Sequence, residues 1–398
     1  MTATTTIKLP VAGGGLAPHP LRGAEPFAAT APLRPFTRIA YSAAHVVADP
    51  IGSVDPWLTA KVDWDATIAY RRRLWSLGLG VAEAMDTAQR GMGLDWPTSL
   101  ELIRRSLDAA RDFPGAVVAS GCGTDHLAAD DATSVDDVIR AYEEQMAAIE
   151  AHGGRLIVMA SRALARVASG PADYERVYDR ILMQSKQPVI LHWLGEMFDP
   201  ALAGYWGSSD VDIAMATALG VIAANPGKVD GIKISLLDKG KEIAMRRQLP
   251  AGVRMYTGDD FNYAELIAGD GVGEATNQRH SDALLGIFDA IAPAASAALS
   301  ALAAGDEARF HAILAPTVPL SRHIFQAPTR FYKTGIVFLA WLNGHQSHFT
   351  MIGGQQSARL IGHFAEIFRL ADAAGLLEQP GLAVARMKQL LALHGIDG

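Results

Sequence analysis

The chain has 398 residues, of which 49% are hydrophobic and only 19% charged, and its formal net charge is −7. This composition indicates a globular protein with a large core, and the acidic balance argues against nucleic acid as a partner. The single cysteine, Cys122, excludes an intrachain disulfide and predicts a reducing, cytoplasmic location. We recognise no secretory signal and no apolar run of membrane-spanning length, so no membrane partner is expected.

Residues 1–36 are rich in proline, glycine, alanine and threonine and predict an N-terminal arm, with a short strand at Thr5–Leu9. A disordered tail is the alternative. The arm is favoured because it contains apolar side chains that could pack on the main domain, namely Leu16, Leu21, Phe27 and Leu33.

From residue 37 onward, short apolar runs alternate with longer amphipathic ones, as strands alternate with helices. Strands are predicted at residues 37–45, 81–87, 116–120, 155–161, 188–194, 229–236, 253–257 and 272–277. Helices are predicted between them at 65–77, 98–111, 134–152, 171–184, 209–224, 241–247 and 261–268. Eight such repeats in roughly 240 residues predict an α/β fold of the (β/α)8 barrel type. An open doubly wound sheet is the alternative, but no dinucleotide-binding glycine motif follows the first strand.

The barrel is expected to occupy residues 37–280, followed by a C-terminal helical module at 281–398. After Asn277 the sequence predicts only helices, at 282–291, 294–304, 307–314, 330–342, 355–374 and 382–393. The apolar, alanine-rich character of these helices predicts a module that packs separately from the barrel strands.

The sixth predicted strand holds one lysine, Lys233, near the middle of an apolar run. Burial on an inner strand would lower the pKa of its ammonium group and leave a share of neutral amine. A neutral amine can attack a carbonyl carbon to form a Schiff base. The alternative is a lysine that reaches solvent or pairs with a carboxylate.

Barrel enzymes carry their chemistry at the carboxyl ends of the strands, so the polar residues at those ends are candidate site residues. Carboxylates dominate this set, and carboxylates accept hydrogen bonds from hydroxyl groups, which favours a polyhydroxylated, sugar-like ligand. Besides Lys233, the set contains His45, Asp86, Thr87, Gln89, Asp125, His126, Ser161, His192, Glu196, Asp238, Asp259, Asp260, Glu274 and Asn277.

Four short motifs lie along the predicted strands, namely Gly121-Cys-Gly-Thr-Asp125, Gly231-Ile-Lys233, Gly258-Asp-Asp260 and the segment from Gly271 to Asn277. On these motifs, residues 37–345 resemble the dihydrodipicolinate synthase and N-acetylneuraminate lyase family of class I aldolases. Gly231-Ile-Lys233 looks like the family's Schiff-base strand, and Gly121-Cys-Gly-Thr-Asp125 is similar to its third-strand turn. Gly258-Asp-Asp260 and the segment from Gly271 to Asn277 resemble the ends of its seventh and eighth strands. The resemblance implies a divergent branch of the family that needs no cofactor or metal and forms a dimer or tetramer.

Two departures from the family pattern bear on function. His192, in Leu191-His-Trp-Leu-Gly195, stands where the family has its catalytic tyrosine, and histidine can also move protons near neutral pH. The family binds a substrate carboxylate on a Gly-Thr-Thr-Gly-Glu turn after the second strand. Here that turn reads Met85-Asp-Thr-Ala-Gln89, so an acid has been added, which argues against a 2-oxo acid substrate.

These observations predict a carbon–carbon lyase or aldolase that forms a Schiff base with a small keto compound, polyhydroxylated or sugar-derived. Lys233 and His192 would be catalytic, and the substrate would be bound by Asp86, Thr87, His126, Glu196, Asp260 and Asn277. Two alternatives remain. One is a metal-dependent barrel lyase or isomerase with ligands from Asp86, His126, His192 and Glu196. The other is a non-catalytic sugar-binding protein that kept the fold.

Overall fold

The computed structural model describes residues 5–22, 27 and 30–397. In these residues the chain forms ten strands: β1 (Thr6–Pro10), β2 (Leu16–Pro20), β3 (Ala40–Ala43), β4 (Gly80–Glu83), β5 (Val118–Cys122), β6 (Arg155–Val158), β7 (Val189–Leu194), β8 (Val229–Ser235), β9 (Arg254–Thr257) and β10 (Asp282–Leu285). The fifteen α-helices described are α1 (Trp64–Ser76), α2 (Trp96–Arg111), α3 (Val135–Ala151), α4 (Arg162–Val167), α5 (Pro171–Gln184), α6 (Val211–Ala224), α7 (Lys239–Arg246), α8 (Tyr263–Ala268), α9 (Ile287–Ala290), α10 (Ala292–Ala303), α11 (Glu307–Leu314), α12 (Val318–Ile324), α13 (Tyr332–Leu342), α14 (Ile361–Ala373) and α15 (Pro380–Leu393).

Strands β3 to β10 form a closed barrel in which every neighbouring pair is parallel. The predicted (β/α)8 fold is therefore confirmed. Alternate strand residues point inward and fill the barrel with a buried cluster that comprises Tyr41, Ala43, Ala82, Met85, Ala119, Ile157, Ile190, Tyr256 and Leu284. The barrel lies within one compact unit of the chain, residues 38–44 and 79–286.

Helix boundaries in this unit follow the capping signals in the sequence. Ser134 and Asp137 form a capping box at the start of α3, where the serine side chain accepts from the Asp137 backbone N–H. Helix α5 begins with Pro171 in its first turn, as predicted. Helix α2 begins earlier than predicted, because Asp95 caps it by accepting a hydrogen bond from the backbone N–H of Thr98.

The eighth barrel strand is β10, and the prediction of a strand at 272–277 was wrong. Ala283 pairs with Ala40 of β3 and with Thr257 of β9, which closes the barrel. The short run Asp-Ala-Leu-Leu lacks β-branched residues, so its local preference favours a helix; burial between two strands overrides that preference. The barrel thus extends past the predicted boundary at residue 280, and Thr276–Gln278 is a short 3-10 turn.

The second compact unit comprises residues 1–37, 45–78 and 287–398. The expected N-terminal strand is confirmed as β1, which pairs with β2 in an antiparallel hairpin. This hairpin buries Ile7 and Leu9, whereas Leu33, which was expected to pack, is fully exposed. The imidazole of His19 lies 2.9 Å from the carboxylate of Asp372 on α14, so the hairpin is tied to the C-terminal helices.

Among the described residues, no single helix has the length and apolar character of a membrane span. One bent pair of helices, Pro200–Gly207 with Val211–Ala224, meets the length and composition only when the two helices are taken together.

Candidate active site

A cavity of about 520 Å³ opens at the carboxyl ends of four consecutive barrel strands, β4 to β7. One part of its wall is polar and charged, and the other part is apolar. The polar side chains are Asp86, Arg90, Asp95, Thr124, Asp125, His126, Arg162, His192 and Asp199; the larger apolar ones are Leu94, Trp96, Leu127, Met159, Leu194 and Leu202. The cavity therefore offers hydrogen-bonding groups to one part of a ligand and apolar contact to another.

Lys233 lies on β8, directly beside the strand that carries His192. The two residues are register partners, and Lys233 also pairs with Tyr256 of β9, a member of the inner core cluster. Because residues paired across parallel strands face the same side, both Lys233 and His192 point into the barrel. Lys233 is 7% exposed and makes no side-chain hydrogen bond or ion pair within the described part of the chain.

Burial lowers the pKa of Lys233, and the carboxylates of Asp86 and Asp260 act in the opposite direction by favouring its charged form. Burial is the larger of these influences. The result is a lysine with an increased share of neutral, nucleophilic amine, close to two negative charges. Lys233 borders the cavity without being part of its wall, and His192 is the wall residue next to it.

His192 is fully buried, and its imidazole has free hydrogen-bonding capacity. Its Nε2 lies 3.4 Å from the hydroxyl of Ser235, while Nδ1 has no partner among the described residues. Burial, and then the nearby Lys233, hold the pKa of His192 well below its usual value. At neutral pH the imidazole is therefore neutral and can accept a proton.

Gly258 allows Lys233 to lie where it does. A Cβ atom at this position would come within 2.8 Å of Lys233 Cε and 2.3 Å of Ser235 Oγ. Since β9 and β8 are hydrogen-bonded neighbours, a side chain at Gly258 would displace both groups. The glycine of the Gly258-Asp-Asp260 motif thus has a packing role beside the lysine.

Arg90 is held by a network that uses all five of its N–H groups. Its Nε and Nη2 donate to the two carboxylate oxygens of Asp125 at 3.1 and 2.7 Å. The remaining donors go to Gln145 and to the backbone carbonyls of Ala84 and Gly121. Arg90 consequently has no donor left for Asp86.

Gln145 of α3 fixes the orientation of this network. Its Oε1 accepts from Arg90 and from the backbone N–H of Gly123, so its Nε2 must be the donor to Asp125 and to Nδ1 of His126. His126 therefore accepts a hydrogen bond at Nδ1, and its neutral form carries the proton on Nε2, which lies 3.3 Å from Glu144.

Asp86 follows a strained turn at the end of β4. Ala84, the first residue after the strand, has a φ of 51°, in the left-handed region that only glycine adopts readily. Its N–H donates to Glu83, and its carbonyl accepts from Arg90, which holds the turn in place. Such strain is often found at functional sites, and here it brings Asp86 to the cavity wall.

The structure brings five of the eight predicted site residues together. Asp86, His126 and His192 line the cavity; Lys233 is the register partner of His192, and the carboxylate of Asp260 acts on the charge of Lys233. The remaining three predicted residues do not line it. Thr87 is buried in the turn after Asp86, and Glu196 is an exposed residue lining a neighbouring cavity of about 190 Å³.

Asn277 was predicted at the end of the eighth strand, and that placement was wrong because β10 is the eighth strand. The side chain of Asn277 donates to the carbonyls of Pro250 and Val253, which precede β9. It therefore lies at the amino end of a parallel barrel, opposite the catalytic end, and we assign it no substrate contact.

Several residues of the site were missed by the sequence reasoning. Ser235 could have been found, because it lies two residues after Lys233 and strand alternation puts both on one face. Trp96 and Gln145 come from two helices, and no spacing rule connects them with the strand ends. Among the described residues, no three His, Cys, Asp or Glu side chains are grouped so as to hold a metal ion.

Glu242 of α7 is a buried carboxyl group that contacts Thr257, the last residue of β9. Its Oε1 and Oε2 lie within hydrogen-bonding distance of the hydroxyls of Ser281 and Thr257, at 2.7 and 2.9 Å. Burial raises the pKa of Glu242 to about 8; these two hydrogen bonds oppose the rise, while nearby Asp259 and Arg246 act in opposite directions. Glu242 is thus protonated at neutral pH.

We expect Glu242→Gln to stabilise the protein at neutral pH, by a few kcal/mol at most. The unfolded chain releases the proton of this carboxyl near its ordinary pKa of 4.5, whereas the folded state keeps it to about 8. The wild type should therefore lose stability, relative to the variant, as the pH rises from about 4.5 to 8, with no further change above. Urea unfolding at several pH values checks this, with Glu175→Gln at an exposed helix position as control. Parallel stability curves for wild type and Glu242→Gln would contradict it.

The comparisons with known proteins agree with the geometry at the level of fold. The chain belongs to the family described as "Protein of unknown function (DUF993)", whose model matches residues 7–396. No curated protein matches the chain.

Solved structures of the dihydrodipicolinate synthase family share its fold. A Pseudomonas aeruginosa protein assigned as a dihydrodipicolinate synthetase has a TM-score of 0.63 at 14% identity, over 84% of this chain and 99% of that one. YagE of E. coli K12, a member of the dihydrodipicolinic acid synthase family solved with pyruvate, has a TM-score of 0.61 at 14% identity, over 90% and 99%. The 4-hydroxy-tetrahydrodipicolinate synthase of Methylacidiphilum fumariolicum SolV has a TM-score of 0.60 at 14% identity, over 89% and 97%. The resemblance seen in the sequence is confirmed at the level of fold: the chain has the fold of that family.

Proposed function

We propose that this protein is a class I lyase or aldolase that cleaves or forms a carbon–carbon bond in a small keto compound. Lys233 forms the Schiff base. The observation that supports this most directly is a lysine that is 7% exposed, has no hydrogen-bond partner in the described residues and lies beside a cavity at the carboxyl ends of barrel strands. Burying an ammonium group without a hydrogen-bond partner is costly, so burial lowers the pKa of Lys233 and increases the share of neutral amine.

In this proposal His192 is the proton carrier. It lines the cavity next to Lys233, is neutral at neutral pH and has an unpartnered ring nitrogen. A neutral imidazole in this position can take the proton from a substrate hydroxyl as the carbon–carbon bond breaks. The electrons of that bond move onto the iminium nitrogen of Lys233, which gives a neutral enamine.

The substrate proposed is polyhydroxylated or sugar-derived. Asp86 faces the cavity as a hydrogen-bond acceptor, and Thr124 contributes a hydroxyl, held 2.6 Å from that of Ser161. Trp96 provides an aromatic part of the wall, and the guanidinium of Arg90 lies 5.0 Å from the centre of its ring. Carboxylate and hydroxyl acceptors combined with an aromatic surface suit a ligand with several hydroxyl groups.

The test is reductive trapping. Purified protein is incubated with sodium cyanoborohydride and a panel of keto sugars, hydroxyketones and keto acids, followed by peptide mass spectrometry. We expect the reduced mass of one class of compound on the peptide that contains Lys233. Labelling of exposed lysines alone would contradict the proposal. A homo-oligomeric state and a cytoplasmic location remain predictions from the sequence.

A further inference from the structure

Asp86 presents a charged group to the cavity without a protein partner. Its side chain makes no hydrogen bond or ion pair within the described residues, yet it is only partly exposed. The nearest cation in sequence, Arg90, cannot neutralise it because its five N–H groups are all used elsewhere. A half-buried carboxylate in this state favours a positive charge nearby.

The cavity wall as a whole carries an excess of negative charge. The Arg90–Asp125 and Arg162–Asp199 pairs are internally compensated, at 2.7 and 2.5 Å. The carboxylates of Asp86 and Asp95 remain, and Asp95 accepts only a backbone N–H, as the cap of α2. An anionic ligand would meet net repulsion in this wall, whereas a neutral ligand would not.

Schiff-base chemistry creates the positive charge that this wall lacks. A ketone, the neutral amine of Lys233 and one proton give an iminium ion and water, so the nitrogen gains a fixed positive charge in a buried place. A 2-oxo acid substrate would bring its own carboxylate, attached to the iminium carbon, to offset that charge. Here a carboxylate of the protein is already in position, because Asp86 lines the same cavity wall as His192, the register partner of Lys233 on the neighbouring strand.

We propose that Asp86 is the countercharge for the iminium on Lys233, and that the substrate is a neutral hydroxyketone or ketose instead of a 2-oxo acid. This inference rests on the proposed function and specifies its substrate class. Asp86 keeps its electrostatic role throughout the reaction. When the carbon–carbon bond breaks, the positive charge leaves the Lys233 nitrogen and passes with the hydroxyl proton to His192, which lines the same cavity.

A matched pair of three-carbon ketones tests the proposal. Hydroxyacetone and pyruvate have the same carbon skeleton, but hydroxyacetone has a hydroxymethyl group where pyruvate has a carboxylate. Trapping on the Lys233 peptide is measured for both compounds with wild type, Asp86→Asn and the control Asp130→Asn. Asp130 is an almost fully exposed carboxylate outside the cavity wall, so its substitution changes the net charge equally. Trapping is repeated at several pH values. This distinguishes an effect of the substitution on the stability of the iminium from an effect on the fraction of Lys233 that is neutral.

We expect wild type to trap hydroxyacetone at least about tenfold faster than pyruvate, and Asp86→Asn to remove most of this preference. The control should behave as wild type. Equal trapping of both compounds by wild type, or an unchanged preference in Asp86→Asn, would overturn the inference and leave the Schiff-base function standing. Trapping of neither compound, together with none from the wider panel, would instead refute the proposed function.

Discussion

Lys233→Ala should abolish turnover and all reductive trapping at the active site. The reason is chemical, because the iminium needs a primary amine at this position and none of the residues described in the cavity wall offers one. The expected loss is that of the whole covalent route, several orders of magnitude in rate. Lys233 makes no side-chain hydrogen bond or ion pair among the described residues, so its removal should cost little stability and the variant should fold.

Two other lysines are suitable controls for Lys233→Ala. Lys228 donates to the backbone carbonyls of Met183 and Ser185, and Lys239 pairs with Glu265 at the surface. Lys228→Ala and Lys239→Ala should both retain trapping on Lys233 and full turnover. Turnover by Lys233→Ala at the wild-type rate would refute the Schiff-base mechanism.

His192→Ala should slow carbon–carbon bond cleavage by roughly 10²-fold or more, the usual scale for loss of a general acid–base group. Imine formation should persist, because Lys233 is unchanged. Trapping and turnover should therefore respond differently, which separates a proton carrier from a residue that only shapes the site. The variant's fold can be checked by circular dichroism.

The pH profile gives a second measurement on His192. Burial and Lys233 keep its pKa well below 6.5, so the imidazole stays neutral as the pH falls through the usual histidine range. The acid limb of the wild-type turnover profile should accordingly lie below pH 6.5. His311→Ala, at a half-exposed helix position, is the control and should leave turnover unchanged. Equal losses of trapping and turnover in His192→Ala, together with loss of fold, would show that His192 is a structural core residue.

The barrel fold and the importance of Lys233 could be predicted from the amino-acid sequence. Seven of the eight barrel strands were found at or near their observed positions, because parallel barrel strands are buried on both sides and are marked by continuous apolar runs. Lys233 stood out for the same reason. Burying a charged side chain in such a run costs free energy, so its presence there indicates a functional role. His192 followed from its place at the end of the neighbouring strand.

The position of the eighth strand and the excess of negative charge in the cavity wall could be recognised only from the tertiary structure. Asp282–Leu285 is a strand because β9 and β3 lie on either side of it, a constraint that no local propensity carries. In the sequence Arg90 lies four residues after Asp86, near enough for an ion pair on spacing alone. The fold instead places Asp125, Gln145 and two backbone carbonyls around Arg90, and these use all of its donors. Hydrogen bonds between residues distant in sequence are set by packing, so the unpaired carboxylate of Asp86 could be identified only once the strands and helices were in place.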